Sequence, residues 1–350
     1  MTPISIFFLI FAFSPSDIHR TFETNPVIIK GIYLAPGVFY SKYEINEFFR
    51  MADLGLVNTA VVDIKDERGR IMLSLYEDFI KKAKKNGIYL IGRQCIFKDE
   101  AMALKKRGTL ALKDFSGNIW FQEECGYWVD PSLSGVREYN AKITGKAFDL
   151  GFDEVQFDYI RYPSCAKPYK NWHKKLENIV RFLDAVNEIK PEEKRISLTF
   201  YGYTVWAKQL AKEGQRFEEM AEKVDAVYPM LYPSHFHNDF MNDSTKEWRT
   251  YSLIYESVKK AHERVPEKNI EIIPYLQAFS WKRSRLGKNY ILNQLIAASE
   301  SRSDGFVLWE AGGNYGKGYE ELIAFDIDYF KKKLVRNWID DSKRSESNFR

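Results

Sequence analysis

The chain has 350 residues, of which 45% are hydrophobic and 29% are charged, an ordinary composition for a folded globular protein. This composition excludes disordered, collagen-like and coiled-coil architectures. The 52 basic and 48 acidic residues nearly balance, and the basic residues are scattered along the chain, so nucleic acid is not an expected partner. Aromatic residues make up 15% of the chain, and their rings are suited to stacking on flat or sugar-like surfaces.

The N-terminal segment has the pattern of an export signal. Residues 4–13 form an apolar run of the length of a signal-peptide core, and small and polar residues follow at 14–16. No Lys or Arg precedes the run, which is too short to span a bilayer as a helix. We therefore expect residues 1–16 to be a signal peptide or a short membrane tether and residues 17–29 to be a linker. The expected location is secreted or at the cell envelope, with no integral membrane span beyond that tether.

The three cysteines, Cys95, Cys125 and Cys165, are too few and too widely spaced for a metal ribbon or a disulfide framework. We expect them to be small apolar residues of the core. An odd number of cysteines suits an exported protein only if one thiol stays buried, so the cysteine content supports export weakly.

Short β-branched or aromatic runs alternate with segments of helical periodicity along the chain. Eight runs predict strands, at 27–34, 59–64, 88–96, 154–160, 196–201, 226–231, 270–276 and 305–309. The segments between them carry apolar residues at helical spacing, as in 45–56 and 176–186. Glycine marks several junctions from a helix to the next strand, at Gly55, Gly87, Gly151 and Gly305.

Strands that alternate with helices pair in parallel through right-handed crossovers, and eight such units close a barrel. We therefore predict an α/β fold, a single-domain (β/α)8 TIM barrel over residues 30–335, followed by a polar tail at 336–350. An open doubly wound sheet is the alternative, but no Gly-x-Gly-x-x-Gly follows any predicted strand. Sites in such barrels lie at the carboxyl ends of the strands, where the long irregular stretches 109–132 and 233–246 converge.

Acidic residues follow several of the predicted strands. Asp158 closes the fourth strand, where alternation places it on the same face as Gln156 and nearer the mouth. Arg161 lies within loop reach, where it could lower the pKa of Asp158 or orient its carboxylate. Asp63 and Lys65 close the second strand on one face by the same alternation. They would either take part in the site or form an ion pair.

Glu310 follows Trp309 at the end of the eighth strand, beside a glycine-rich turn, and is the second candidate acid. The fifth to seventh strand ends supply hydroxyls, rings and amides in place of acids, as in Tyr203, Tyr232, His235 and Gln277. His235 and His237, with Asp239, form a weak metal-binding pattern. We expect these histidines to contact solvent or substrate, and we expect no metal and no cofactor.

Acids at several strand ends with interleaved Tyr and Trp are what glycoside cleavage requires. One carboxylic acid protonates the leaving oxygen, one carboxylate faces the anomeric carbon, and rings hold the sugar faces. The Gly-x-Ser-x-Gly and His-Glu-x-x-His motifs of other hydrolases are absent from the sequence. We expect Asp158 to act as nucleophile or charge stabiliser, and Glu310 or Asp63 to act as the proton donor.

Residues 151–164, GFDEVQFDYIRYPS, resemble the signature of the putative glycosyl hydrolase domain family of bacterial TIM-barrel proteins. Further blocks that resemble this family follow its order: VDIKD at 62–66, GR at 69–70, WVDP at 128–131, FYGYT at 200–204, YPMLYPSH at 228–235 and LWEA at 308–311. The resemblance covers about residues 30–330. It implies a glycosidase-like barrel and a carbohydrate substrate.

The resemblance ranks the matching residues in the order Asp158, then Asp63, Lys65 and Asp66. Residues expected to contact the glycan are Lys65, Asp66, Gln156, Arg161, Tyr203, Tyr232, His235, Gln277 and Trp309. Two positions depart from the family pattern, because Thr199 stands where members usually carry Asp and Glu310 where they often carry Asn. The sequence predicts a glycoside hydrolase of a polysaccharide or cell-envelope glycan. If the familial Asp is essential, the alternative is a catalytically inactive carbohydrate-binding envelope protein.

Overall fold

The computed structural model describes residues 28–165, 174–241, 245–266, 270–282 and 286–326. Parallel strands form a closed barrel with helices around it, which confirms the predicted (β/α)8 TIM barrel. The strands are β1 (Ile29–Leu34), β2 (Thr59–Lys65), β3 (Tyr89–Cys95), β4 (Phe121–Gln122), β5 (Gly126–Tyr127), β6 (Glu154–Asp158), β7 (Arg195–Tyr201), β8 (Ala226–Met230), β9 (Glu271–Ile272), β10 (Tyr275–Gln277) and β11 (Gly305–Trp309). The helices are α1 (Lys42–Asp53), α2 (Glu77–Lys85), α3 (Glu100–Leu104), α4 (Ser134–Leu150), α5 (Lys175–Asn187), α6 (Phe217–Ala221), α7 (Lys246–Arg264), α8 (Tyr290–Glu300) and α9 (Gly316–Phe325).

The strand order around the barrel is β10-β11-β1-β2-β3-β6-β7-β8-β9. The seventh barrel position, predicted as one strand at 270–276, consists of β9 and β10 separated by Ile273 and Pro274. Proline has no N–H to donate, so it interrupts the hydrogen-bond ladder at this point. Tyr275 of β10 pairs with Met230 of β8, and this pairing closes the ring.

The barrel wall is buried on both faces, as the parallel topology requires. Every residue of β2 is buried, and the helices turn the predicted apolar faces inward, with Phe48 and Phe49 of α1 as examples. Gly305 allows β11 to approach β1 closely. A Cβ at Gly305 would lie 2.2 Å from the Ile29 carbonyl oxygen, and its φ of 148° lies outside the range that side chains favour.

The long stretch between β3 and α4 contains the short antiparallel hairpin of β4 and β5. Cys125 in this hairpin is disulfide-bonded to Cys165, which follows β6, with Cα atoms 6.3 Å apart. The sequence did not predict this disulfide between the two cysteines, although Cys125 is buried in the core as expected. Their separation of 40 residues in the sequence hides the fact that both segments return to the same end of the barrel. Cys95 is free and buried, as predicted.

The ends of the chain are only partly described. The predicted signal peptide or tether at 1–16, nearly all of the predicted linker at 17–29 and the predicted tail at 336–350 lie outside the described residues. In the part of the chain that the structure covers, none of the helices combines the length and the apolar character needed to cross a membrane.

Candidate active site at the barrel mouth

Three neighbouring strands place charged side chains together at the mouth of the barrel. Asp63 near the end of β2 lies beside Arg93 of β3 in the strand register, and Asp158 ends β6, the next strand around the barrel. Because parallel strands all present their carboxyl ends at the same rim, residues far apart in the sequence meet there. The three charges form one connected group.

Arg93 joins the two carboxylates of this group. Its Nη1 donates to Asp63 Oδ1 at 2.6 Å, while its Nη2 and Nε donate to Asp158 Oδ2 at 2.6 and 2.9 Å. Its guanidinium also lies over the indole of Trp309, 5.0 Å from the ring centroid. The sequence prediction did not include Arg93. The available signal was a basic residue inside an otherwise apolar strand run, a place where charge is tolerated only with a partner.

Asp158 is held as a fixed, ionised carboxylate. Besides the Arg93 contacts, its Oδ1 accepts hydrogen bonds from Thr199 Oγ1 at 2.8 Å and from the Tyr159 backbone N–H at 2.6 Å. Burial by itself would raise the pKa of Asp158. The Arg93 charge and the donated hydrogen bonds outweigh burial and hold this pKa below its usual value. Two donors at each oxygen occupy the four lone-pair directions of the carboxylate.

Asp63 has a different environment. The Tyr33 hydroxyl donates to its Oδ2 at 2.7 Å, and the Tyr76 hydroxyl donates to its backbone carbonyl at 2.8 Å. Burial raises the pKa of Asp63 above its usual value, although Arg93 and Tyr33 act against this shift. Asp63 is only 5% exposed and supports Arg93. It is not one of the residues that line the adjacent cavity.

Two connected cavities open at the mouth. The inner cavity has a volume of about 140 Å³ and is lined by Asp158, Arg93, Arg161, Thr199 and the rings of Tyr159, Tyr201, Tyr232, Tyr275 and Trp309, among others. The outer cavity has a volume of about 460 Å³ and is lined by Glu213, Tyr203, Leu210, His235 and Phe236, among others. Tyr201, Met230 and Tyr232 belong to both linings, so the two cavities adjoin.

Glu213 is a further acidic residue of the mouth that the sequence prediction did not include. It lies in the loop between β7 and α6, and its backbone carbonyl accepts a hydrogen bond from the Tyr162 N–H at 2.8 Å. This contact ties the loop to the segment that follows Asp158. An acid so far beyond the end of its strand has no local signal, because only the folding of the loop brings it back to the mouth.

Lys65 lies on the opposite face of β2 from Asp63, so the prediction that they share a face is wrong. A bulge shifts the pairing of β2 with β3 between these two residues, and this breaks the two-residue alternation. The Lys65 Nζ donates to Asp99 Oδ2 at 2.8 Å and to Asn140 Oδ1 at 2.7 Å, and its side chain is fully buried. Its ion pair joins the barrel to Asp99 at the start of α3, and its hydrogen bond to Asn140 joins the barrel to α4.

Other predicted site residues support loops or the barrel interior. Asp66 accepts from the backbone N–H groups of Arg68 and Arg70 and shapes the turn after β2. Gln156 is fully buried and accepts from the Tyr275 hydroxyl at 2.6 Å. Gln277 is also fully buried. Its side chain accepts from the Ser234 N–H and donates to the Phe279 and Trp281 carbonyls, so it joins two loops.

Glu310, the predicted second acid, folds back on its own loop. Its Oε2 accepts from the Asn314 backbone N–H at 2.9 Å, and its own N–H donates to the Tyr315 hydroxyl. It is not among the residues that line either cavity, whereas its neighbour Trp309 lines the inner one. The glycine-rich turn after β11 explains this orientation, because it brings the Asn314 N–H back toward the Glu310 carboxylate.

The aromatic and histidine residues predicted for the fifth and sixth strand ends do line the mouth. Tyr232 lies between the two cavities, and Tyr203 and His235 line the outer one. Burial, with a smaller effect of the Lys282 charge, lowers the pKa of His235. His237 is exposed and faces Asp239, with Nδ1 and Oδ2 3.3 Å apart. Across the described ranges there is no group of three His, Cys, Asp or Glu residues that could hold a metal ion.

Comparison with known proteins agrees with this architecture. Residues 31–315 match the family described as putative glycosyl hydrolase domain. The chain belongs to this family. The match confirms the resemblance seen in the sequence, and carbohydrate is the substrate class that the family description implies. A search of curated proteins found no match to the chain.

Several solved structures share the fold at low sequence identity. The glycoside hydrolase domain of PgaB (BpsB) from Bordetella bronchiseptica is similar over 83% of this chain and 97% of that one, with 11% identity and a TM-score of 0.60. The β-galactosidase from the psychrophilic Marinomonas ef1 is similar over 87% of this chain and 60% of that one, with 8% identity and a TM-score of 0.63. The spore cortex-lytic enzyme SleL from Bacillus cereus is similar over 84% of this chain and 73% of that one, with 12% identity and a TM-score of 0.53. These likenesses show that the barrel has a glycosidase-like fold.

Proposed function

We propose that the protein is a glycoside hydrolase that cleaves O-glycosyl bonds in a polysaccharide or cell-envelope glycan at the barrel mouth. The observation that carries this proposal is Asp158, an ionised carboxylate fixed by Arg93, Thr199 and the Tyr159 N–H in a cavity walled by aromatic rings. Glycoside cleavage passes through a positively charged, oxocarbenium-like transition state, which such a carboxylate stabilises. Membership of the glycosyl hydrolase family supports the same reaction class.

Asp158 serves as the charge stabiliser in this proposal. Its Oδ2 is held by two Arg93 nitrogens, and its Oδ1 by Thr199 and the Tyr159 N–H. A covalent bond to the anomeric carbon would require at least one of these donors to leave. The arrangement therefore favours electrostatic stabilisation over nucleophilic attack, and the Trp309 and Tyr232 rings are placed to hold the sugar.

Glu213 serves as the proton donor. Among the described residues that line the inner and outer cavities, Asp158 and Glu213 carry the carboxyl groups. Asp63 is committed to Arg93 and Tyr33, and Glu310 to its own loop. A glycan that crosses from the outer to the inner cavity would therefore pass both Glu213 and Asp158.

The test is release of reducing ends from a panel of α- and β-linked bacterial polysaccharides. Asp158→Asn should lower the rate about 10²–10³-fold through loss of transition-state stabilisation, and Glu213→Gln about 10²–10⁴-fold through loss of the acid. Asp184→Asn is the matched control, because Asp184 lies on α5, away from the mouth, in a half-buried pair with Lys223. Undiminished cleavage by Asp158→Asn would refute the assignment.

A second candidate function is carbohydrate binding without cleavage. It is favoured by one observation, that Asp158 is the single carboxylate in the described lining of the inner cavity. Thr199 occupies the place where the family resemblance implies a second acid. In this case calorimetry with an oligosaccharide from the panel would detect binding, and no reducing ends would appear. Released sugar would exclude this alternative.

We also propose that the protein works outside the reducing cytosol, either secreted or at the cell envelope. The Cys125–Cys165 disulfide supports this location, because such bonds persist in oxidising compartments. Cell fractionation with an antibody to the protein tests the proposal. Recovery of the protein in the cytosol with Cys125 and Cys165 reduced would contradict it.

A further inference from the structure

Arg161 is a buried arginine without a carboxylate partner in the described parts of the chain. Its exposure is 9%, and it lines the inner cavity. Its Nη1 donates to the Tyr162 carbonyl at 3.1 Å, its one hydrogen bond to those residues. None of its nitrogens is among the fully buried polar atoms that lack a partner. The remaining N–H groups therefore reach open space and are available to a ligand.

Three aromatic rings hold the Arg161 guanidinium in place. Its central carbon lies 5.1 Å from the Trp128 ring centroid, 5.1 Å from that of Tyr159 and 4.6 Å from that of Tyr201. Contact with ring faces offsets part of the cost of burying the cation, and it fixes the planar fork without using its hydrogen-bond donors. We call Arg161 and these three rings the arginine cage.

The surrounding backbone fixes the arginine cage. The Trp128 indole donates to the Cys125 carbonyl at 2.9 Å, and Cys125 is disulfide-bonded to Cys165, shortly after Arg161 in the chain. Tyr159 has a φ of 49°, which is rare for a bulky residue and is found at sites where the surrounding structure imposes it. The cage is therefore built by several independent constraints.

The acidic side chains of the mouth are not paired with Arg161. The sequence suggested that Arg161 would orient Asp158, but Arg93 has that role. The four lone-pair directions of Asp158 are occupied by other donors. Glu213 lines the outer cavity, and among the described residues it is not ion-paired with Arg161. Arg161 thus presents N–H donors that no carboxylate of the described residues uses to a cavity that Asp158 also lines. A rigid guanidinium fork in such a position matches the oxygens of a carboxylate or a sulfate.

The geometry points to an acidic glycan as the substrate class, with a carboxylate or sulfate group of one sugar bound by Arg161 in the inner cavity. That the ligand is a glycan rests on the function proposed above. That the ligand is anionic rests on the arginine cage alone. Binding and cleavage therefore test the two proposals separately.

The experiment compares acidic oligosaccharides with their neutral counterparts on the full chain. The probes are oligouronates with their carboxyl-reduced forms, and sulfated oligosaccharides with their desulfated forms. Binding is followed by tryptophan fluorescence, because Trp309 lines the cavity and Trp128 belongs to the cage. The wild type should bind one acidic class about tenfold or more tightly than its neutral form, the size expected for a charge-assisted hydrogen bond.

Arg161→Gln should reduce this preference to about twofold or less, and Arg161→Lys, which keeps the charge but not the fork, should retain part of it. Arg181→Gln is the control, because it removes one positive charge from an exposed pair with Glu177 on α5. Circular dichroism confirms that each variant is folded. A preference within the oligouronate pair identifies the bound anion as a carboxylate, and a preference within the sulfated pair identifies it as a sulfate.

Several outcomes would overturn the inference. These are equal binding of acidic and neutral forms, a preference that survives in Arg161→Gln, and no binding of any acidic probe. Reducing ends are measured in the same samples. Cleavage of neutral forms without an acidic preference would support the proposed hydrolase activity and overturn the acidic substrate class. Preferential binding of an acidic form without cleavage would support the acidic ligand and overturn the hydrolase activity.

Discussion

The two arginines of the barrel mouth show two different uses of a buried charge. Arg93 lies between Asp63 and Asp158, and each of its three nitrogens donates to a carboxylate. Arg161 lies among three rings and donates to a single backbone carbonyl of the described residues. The comparison teaches that a fully paired charge fixes the geometry of the site, whereas a charge held by rings remains available for binding.

The Arg93 group and the arginine cage also differ in which structural elements fix their positions. Arg93 and its two carboxylates belong to β2, β3 and β6, whose strand register fixes their positions. The arginine cage is formed largely by loops that leave the barrel, and the disulfide links two of them. We therefore expect perturbation of the first region to affect stability most, and perturbation of the second to affect ligand binding most.

The largest expected effect comes from Arg93→Gln. This change leaves Asp63 and Asp158 buried near each other without their shared cation. We expect the free energy of unfolding to fall by about 3–5 kcal/mol, as is typical when one partner of a buried ion pair is removed. Urea denaturation measures this loss. Arg181→Gln should cost less than about 1 kcal/mol because its ion pair is exposed, and an equal cost for the two variants would contradict the comparison.

Removing the disulfide should have the next largest effect. Replacing both Cys125 and Cys165 by Ser should lower the free energy of unfolding by about 2–4 kcal/mol, because the cross-link constrains the unfolded chain. Thermal unfolding with and without dithiothreitol gives the control. The reductant should destabilise the wild type and leave the double variant unchanged. Retention of wild-type stability by the double variant would show that the bond contributes nothing.

Thr199→Val should have an intermediate effect that depends on pH. It removes a hydrogen bond to the ionised Asp158, which is worth about 1.5–3 kcal/mol. The pKa of Asp158 is held below its unfolded value of about 3.9. The ionised form therefore stabilises the fold above that pH, and this stabilisation is lost as the pH falls through the folded pKa. Urea midpoints should differ between wild type and variant at pH 7, and the difference should shrink as the pH falls below about 3.9 toward the folded pKa. A constant difference would exclude Asp158 as the cause.

The smallest expected stability effect comes from Arg161→Gln. Loss of the ring contacts should cost about 0.5–1 kcal/mol, because no buried carboxylate of the described residues is left unpaired. Urea denaturation beside Arg93→Gln tests this expectation. A loss as large as that of Arg93→Gln would mean that Arg161 stabilises the fold as an ion pair does, and the contrast between the two regions would fail.

The fold and part of the site could be predicted from local patterns. The eight strand runs and the helix periodicity were confirmed, with one strand split at Pro274. Asp158 was identified at a strand end of the barrel, and it lines the inner cavity. Lys65 was assigned to the wrong face of β2, because a bulge cannot be seen in a pattern that assumes strict alternation. Arg93 and Glu213 were not identified, because neither stands at a strand end with a motif of its own.

The sequence by itself determined the number and order of strands and helices, since hydrophobic periodicity is a local property of consecutive residues. It also determined that the chain carries the family blocks around Asp158. Only the tertiary structure decided that Arg93 pairs with two carboxylates, that Cys125 meets Cys165, and that Arg161 has no carboxylate partner among the described residues. These contacts depend on the register between strands and on loop paths, which join residues distant in sequence and have no local signal.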